Sequence, residues 1–470
     1  MRFDHQTIDD SPPCGRLFVC EPVDLVGDGL PDLIVGGMGA EDLPVLGDRS
    51  VPLVGRLFRR LENDLFWYEN PGRGNHDGDA AWTRHTISSA SDLHALGATL
   101  GDVNGNGRLD LIVGQGFGGS DVYWFEQPAD PRETWTQHLI ADDFSKYHDL
   151  AFGDVDNDGE PEVVGASQES ETVFYYDVPD DPARSPWPSD CLTVVSRNTN
   201  VEGLAIADLD GDGDNELVAG TAVYRQVDGD SAAGAGVGDS ARDEAMEADG
   251  SGRANGQHAV AGGDAAPGAS VSGSESAAPS GPASGDASGP AFEGASGPAS
   301  GDASGPASEG ASDVSAGWTR EHVVTGWDWT RVAVGDVDDD GEPEVVFAEG
   351  DSPLLGEHMG RVGWFDPPDW EAHILHDDLY CPHTVQLADF DGNGSLDIYV
   401  AEMGAGENDE TAQHVLFRNQ GGGEFRETVV ESGVPTHEAK AVDVTGNGRP
   451  DLLGKSWEPH THVDVWYNRP

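Results

Sequence analysis

Seven short acidic runs are the part of this chain best equipped for chemistry. In Asp154–Glu162, Asp154, Asp156 and Asp158 alternate, Gly159 follows, and Glu162 closes the run. Carboxylates at every second position of a tight turn converge on one point, where alone they repel. Around a hard divalent cation the same crowding is favourable, since Ca²⁺ takes roughly six to eight oxygens. Gly159 permits the left-handed backbone of a sharp turn, and the carbonyl of Glu160 could add a ligand, as in EF-hand loops.

The pattern returns as Asp208, Asp210, Asp212 and Glu216, and again as Asp336, Asp338, Asp340 and Glu344. Weaker copies are Asp389, Asp391, Asn393 and Asp397; Asp102, Asn104, Asn106 and Asp110; and Asp443, Thr445, Asn447 and Asp451. Asn and Thr keep an oxygen and lose a charge, so Ca²⁺ affinity should fall from the first group to the second. The remaining run, Asp24–Asp32, has Val26 where an oxygen is needed and should bind weakly or not at all. The plainer reading is that these Asp side chains bond to nearby backbone amides. Spacing, not acidity, argues for metal.

Histidine is the second chemical resource. Six residues ahead of the first Asp of a run stand His148, Glu202, Thr330, His383 and His437, with His94 near the same place. The apolar stretches that follow the runs end near Gln115, Gln168, Glu349, Glu402 and Lys455, and beyond them lie Glu357, His358, His414, Trp457, His460 and His462. Such side chains on one face could bind a transition metal or act as acid and base toward a polar substrate. His148, His383, His437, Glu402 and Lys455 are the candidate catalytic residues. The competing reading is that a repeat copies residues, and each His bonds to a structural neighbour.

The elements that must position these groups follow from their intervals. The runs begin at residues 24, 102, 154, 208, 336, 389 and 443, and four of the six intervals are 52 to 54 residues. The first is lengthened by Gly39–Asn63. The fourth holds Asp228–Gly317, a Gly/Ala/Ser/Pro/Asp-rich stretch with almost nothing apolar to bury, read as a disordered insertion. Each unit has a strand into the run, a strand out of it, an aromatic strand such as Phe66–Glu69 or Tyr123–Glu126, and a fourth such as Trp82–Ile87 or Trp135–Ile140. Four strands per roughly fifty-residue repeat is the signature of a propeller blade. The last unit ends at a third strand, Val463–Asn468, and Phe3–Ile8 matches the fourth-strand pattern. The expectation is therefore one all-β domain over 1–470. It is a seven-bladed β-propeller of four-stranded antiparallel blades, closed by its N-terminal strand, so that no edge is left open.

The D-x-D-x-D/N-G-x-x-D/E loops between such strands resemble FG-GAP or VCBS repeats, including the integrin α-subunit propeller. The phrases Trp67-Tyr68-Glu69-Asn70-Pro71-Gly72 and W-x-x-H-x-I look like a prokaryotic branch that is also similar to the propeller portion of aldos-2-ulose dehydratase. The resemblance implies the fold, several structural Ca²⁺ sites and a carbohydrate or protein ligand. It leaves activity open, because propellers host many functions.

Composition narrows the classes. The chain has 470 residues, 87 acidic against 25 basic, and a net charge of −62. Its three lysines are Lys146, Lys440 and Lys455. An acidic surface that keeps Arg and nearly drops Lys resembles halophilic, haloarchaeal proteins. Nucleic acid is excluded as a partner, because phosphate binding needs a basic stripe. No stretch suggests membrane insertion or a leader, which reads as cytoplasmic unless a leader is missing. Cys14, Cys20, Cys191 and Cys381 have no zinc spacing and read as reduced structural residues. No phosphate loop, G-x-S-x-G elbow or H-E-x-x-H occurs. Arg49, Arg56, Arg59 and Arg60 form a basic cluster that is either a solvated loop or a contact for an anion.

Three functions remain. The first is a calcium-stabilised module that binds a partner or carbohydrate. The second is a carbohydrate-active lyase or dehydratase, with its His/Glu pocket at the central channel on the face opposite the calcium loops. There, His383 or His437 would take a proton, and Lys455 or a channel metal would stabilise the oxyanion. The third is a scaffold that recruits partners through Asp228–Gly317.

Overall fold

The computed structural model describes residues 1–38, 65–76, 81–88, 93–227, 313–404, 408–457 and 461–469. All of them belong to the compact unit Met1–Gly234 with Ser312–Pro470. The insertion read at 39–63 lies outside the described residues, and so does that at 228–317 except for its last five. Those five are attached: Arg197 N donates to Asp313 O at 2.8 Å, and Val314 bridges Ser196.

The described residues form twenty-eight strands, β1 to β28, in seven antiparallel sheets of four. Each blade begins with an inner strand: β2 (Arg16–Val23), β6 (Ala95–Gly101), β10 (Tyr147–Gly153), β14 (Leu204–Ala207), β18 (Thr330–Gly335), β22 (Pro382–Ala388) and β26 (Glu438–Val442). Each packs beside the next, and β26 packs beside β2, so the ring is closed. Second strands such as β11 (Glu162–Ser167), β19 (Glu344–Glu349) and β23 (Asp397–Glu402) are buried at every position. Their β-branched and apolar residues fill the space between neighbouring blades, as sheets covered on both faces require. Fourth strands such as β17 (Trp318–His322) face solvent.

The fourth strands explain four histidines. His85, His138 and His373 sit directly opposite Trp67, Trp124 and Trp364 on the aromatic third strands. Their rings stack at 4.4, 4.3 and 3.7 Å. Cross-strand aromatic pairs of this kind stabilise a sheet face. The same pair closes the ring. Strand β1 (Arg2–Asp9) runs along β28 (Val463–Arg469), with Arg2 opposite Arg469 and His5 opposite Trp466. His5 stacks on Trp466 at 5.0 Å. The N-terminal strand is thus the fourth strand of blade seven, as its sequence pattern implies. All four cysteines are buried, and none is in a disulfide among the described residues. Among the described residues no helix is long and apolar enough to cross a membrane.

Candidate functional site

The acidic loops join first to second strands at one end of the ring. Their second residue is always apolar and buried: Leu25, Val103, Val155, Leu209, Val337, Phe390 and Val444. Its backbone N–H donates to the closing acid in every loop, at 2.6 to 3.2 Å. The other oxygen of the closing acid sorts the blades. Asp32, Asp110, Asp397 and Asp451 accept a second N–H, from Asn70, Gln127, Asn419 and Asn468 at 2.7 to 2.9 Å. The side-chain amides of these four residues reach the preceding blade, donating to Val444 O, Leu25 O, Val337 O and Phe390 O. In blades one, two, six and seven the closing acid therefore belongs to an amide clamp between blades.

Blades three and five differ. Their closing acids are Glu162 and Glu344, and Val178 and Pro367 stand where the clamp amide would be. Buried oxygens without a hydrogen-bond partner face into these loops: Asp154 Oδ1 and Asp156 Oδ1 in one, Asp336 Oδ1 and Glu344 Oε1 in the other. Burial, helped by the neighbouring Asp carboxylates, pushes Glu162 up to about 8 and Glu344 to about 7. The donor set is all oxygen, which suits Ca²⁺. Blades four and six bring Asp208, Asp210 and Glu216, and Asp389, Asp391 and Asp397, equally close together, with Asp391 Oδ1 also buried and unpaired, but set an arginine beside them. Arg225 Nε lies 3.9 Å from both Asp210 and Glu216, and Arg418 bonds to Asp391. In blade one, Asp24 accepts the amides of Gly27, Asp28 and Gly29, and Asp389 in blade six accepts those of Gly392, Asn393 and Gly394 in the same way.

At the opposite end, the residue six places before each loop forms the mouth of the axial channel. Phe18, Leu96, His148, His383 and His437 line both the channel cavity of about 360 Å³ and a mouth cavity of about 510 Å³. At Phe18, Leu96, His148 and His383 the pairing of first and second strand slips by a bulge. A bulge turns a side chain off the sheet face, and here it turns these residues toward the axis. Blade five departs from the pattern. Thr330 is buried, and its neighbour Arg331 lines the channel instead.

Within the mouth, Glu202, Asp351 and His383 place ligand atoms within 4.8 Å of one another. Glu202 is 2% exposed. Its Oε1 accepts from Gln168 Nε2 at 2.7 Å and lies 3.2 Å from His148 Nε2, while Oε2 has no hydrogen-bond partner. His383 Nδ1–H donates to His437 O at 2.9 Å, so its Nε2 carries the lone pair that faces Asp351 Oδ1 at 3.8 Å. Burial, then Glu202, pushes Asp351 up to about 8. Burial, then Arg331, holds His383 well below its usual range and therefore neutral. Two carboxylates and a neutral imidazole with its other nitrogen anchored form a mixed N/O set suited to a divalent transition metal.

Beneath lies a second charged layer. His148 Nδ1–H donates to Asp149 at 2.7 Å, and Arg331 reaches the same carboxylate at 3.4 Å. Burial opposes the charge on Asp149, yet Arg331 and His148 hold it far below the carboxylate range. Lys440 bridges Glu438 at 3.0 Å and Glu21 at 3.6 Å. Lys455 is fully buried, and burial lowers it to about 8. Its Nζ donates to His437 Nδ1 and, at 3.0 Å, to Leu17 O. His437 stacks on His383 at 4.0 Å.

The structure thus gathers His148, His383, His437 and Lys455 around one channel, with Lys455 supporting His437 from below. Glu402 stays out. Its oxygens accept the backbone N–H groups of Tyr380 at 2.6 Å and Gln413 at 2.8 Å, so this carboxylate pins a strand start. His414 is also structural, bonded to Tyr399 and Val434 O, and His462 bonds to Asp464. His358 is exposed beside Met359 O. Leu96, not His94, holds the blade-two mouth position, and Trp457 lines the mouth. His460 and the Arg49–Arg60 cluster lie outside the described residues. Sequence spacing missed Asp351, Asp149, Arg331, Glu21 and Glu438. Asp149 carries a signal, because an Asp directly after the mouth His is an orienting partner within reach.

An FG-GAP-like repeat model matches residues 102–165 and 389–454, so the chain carries FG-GAP-like repeats. No curated protein sequence matches the chain. Among solved structures, the Tc holotoxin pore of Photorhabdus luminescens is similar at 14% identity and a TM-score of 0.37, over 100% of this chain and 14% of that one. The periplasmic gluconolactonase PpgL of Pseudomonas aeruginosa is similar at 11% identity and a TM-score of 0.41, over 87% and 84% of the two chains.

Proposed function

We propose that this propeller binds a small polar ligand of the carbohydrate class in its axial channel, through a divalent transition metal held by Glu202, Asp351 and His383. One observation carries the reading: Glu202, Asp351 and His383 bring two carboxylate oxygens and an imidazole lone pair within 4.8 Å of one another, and Glu202 Oε2 is buried with no donor on it. An unpaired buried oxygen costs free energy, and a cation would remove that cost. Such a metal polarises a carbonyl or acidifies a hydroxyl that meets it. Gln168 orients Glu202, and His437 O fixes the tautomer of His383. The test is a Zn²⁺ or Mn²⁺ titration of metal-stripped, Ca²⁺-saturated protein. One site per chain is expected, and Glu202→Gln or His383→Ala should weaken it by about 100-fold or more. Unchanged affinity in both variants would sink the site.

A second reading, a lyase or dehydratase, is favoured by the His148–Asp149 pair inside the cavity. Burial works against charge on His148, but Glu202 at Nε2 and Asp149 at Nδ1 raise it above its usual range, so it could supply a proton to a leaving hydroxyl. His148→Gln should then abolish turnover and leave metal binding within about threefold.

The loops serve the ring. Ca²⁺ in blades three and five would neutralise carboxylates that burial has made costly, and would stabilise by mass action. The expected stoichiometry is two tight Ca²⁺ per chain, with Glu162→Ala and Glu344→Ala each removing one. Chelation at constant salt should lower the melting temperature. Six equal sites, or melting unaffected by chelator, would overturn this assignment.

A further inference from the structure

The three lysines of this chain are not scattered. Lys440 lines the channel, Lys455 sits under His437, and Lys146 lines the mouth. Lys440 and Lys455 are ion-paired to Glu438. Lys146 is different: among the described residues no carboxylate lies within ion-pair distance of it, whereas the other two lysines are both paired. Its Nζ instead lies 4.6 Å over the ring of Phe117, which is 44% exposed. Arg16 lines the same mouth. In a protein of net charge −62, a positive group at a cavity favours an anion beside it.

Apolar side chains share the mouth with Lys146, alongside Gln168, Glu169 and Asn200. Phe18, Phe117, Leu354, Leu355 and Trp457 line the mouth, with Leu354 and Leu355 46% and 59% exposed. The floor is the polar cluster of Glu202, Asp351 and His383. A cavity of about 510 Å³ is of the size that holds small ligands. A sugar ring offers hydroxyls on its edge and a C–H face for aromatic rings. An acidic sugar adds the charge that Lys146 lacks.

We infer that the channel ligand is an anionic sugar, its hydroxyl or carbonyl end on the metal cluster, its apolar face on Phe117 and Trp457, and its charge on Lys146. The inference rests on the channel reading above and adds the charge class of the ligand. It is tested by calorimetry on the Zn²⁺-loaded full chain at constant ionic strength, with D-glucuronate, D-glucose 6-phosphate and D-glucose as probes. At least one anionic sugar should bind about tenfold more tightly than glucose, since a partly desolvated charge-assisted contact is worth roughly that factor. The better of the two identifies carboxylate or phosphate. Lys146→Gln should erase the preference and leave bound Zn²⁺ unchanged. Equal affinity for all three, no binding of any, or a preference that survives Lys146→Gln overturns the anionic assignment while the metal site stands. Failure of the wild-type chain to take up Zn²⁺ overturns the channel reading itself.

Discussion

Deleting residues 1–9 should leave a chain that no longer holds a stable monomeric ring. Strand β1 supplies the whole outer edge of blade seven, pairing from Arg2 opposite Arg469 to Asp9 opposite Val463. Without it β28 presents a row of unpaired N–H and C=O groups, a template for aggregation. The deletion also strips a charged clasp. His5 Nε2–H donates to Asp464 Oδ1 at 2.9 Å, and His462 Nδ1–H donates to the other oxygen. Asp464 is fully buried, and a buried carboxylate that loses a partner is strongly destabilising. Phe3 leaves the edge of Phe390 as well. The combined loss should exceed about 4 kcal/mol, a large part of an ordinary domain's stability. Denaturant unfolding and size-exclusion chromatography read it, and a truncated monomer that melts with the full chain would refute the clasp.

The clasp has a pH signature of definite sign. Burial works against charge on Asp464, but the bonds from His462 and His5 outweigh it and hold the carboxyl below its usual value. A depressed carboxyl stabilises above the ordinary Asp range, near about 4, and the benefit is lost as pH falls through the native value. Asp464→Asn should therefore flatten the acid limb of the stability curve below about pH 4.

Arg331→Met should be the most damaging single substitution in the channel. The guanidinium is part-buried in the channel wall and reaches Asp149 at 3.4 Å, and its field also acts on Glu202, Glu438 and Asp351. Met has similar bulk but no charge, so packing is largely retained. Asp149 is then left with His148 alone in a part-buried site. Breaking a buried pair from one side costs about 3–5 kcal/mol. The double variant Arg331→Met/Asp149→Asn should recover most of that, because neither partner remains charged. Chemical denaturation at pH 8 decides it, and a loss under about 1 kcal/mol in the single variant would show that solvent already screens Asp149.

Spacing carries most of the architecture. The interval of 52 to 54 residues counts the blades, and Phe3–Ile8 announces the closing strand, because a repeat must keep the residues that pack it. The His of the fourth strand is legible for the same reason, since it faces a Trp in every pair. Side-chain direction is less legible. Glu402 and Glu349 end their second strands at matching places, and both are spent on holding local chain: Glu402 on the amides of Tyr380 and Gln413, Glu349 on Arg361. His148 and His383 enter the channel because a bulge turns them, and a bulge leaves no mark in composition. Asp351 sits in the turn after β19, outside the repeat, so periodicity has no place for it. The clamp was open to inspection: an Asp-closed loop goes with Asn or Gln at the end of the third strand, as in Asp32 with Asn70 and Asp451 with Asn468.

Ring closure by β1 also fixes what kind of object the polypeptide is. Arg2 and Arg469 are paired neighbours, and at another point of the circle Val227 N donates to Gly317 O at 2.8 Å across the stem of the long insertion. The connectivity can thus be rewritten without disturbing a blade. A short linker could join the present ends, and the chain could be opened between Val227 and Gly317. In such a circular permutant β1 and β28 become one continuous hairpin, and the non-covalent seam moves to the blade where the natural chain already tolerates its largest interruption.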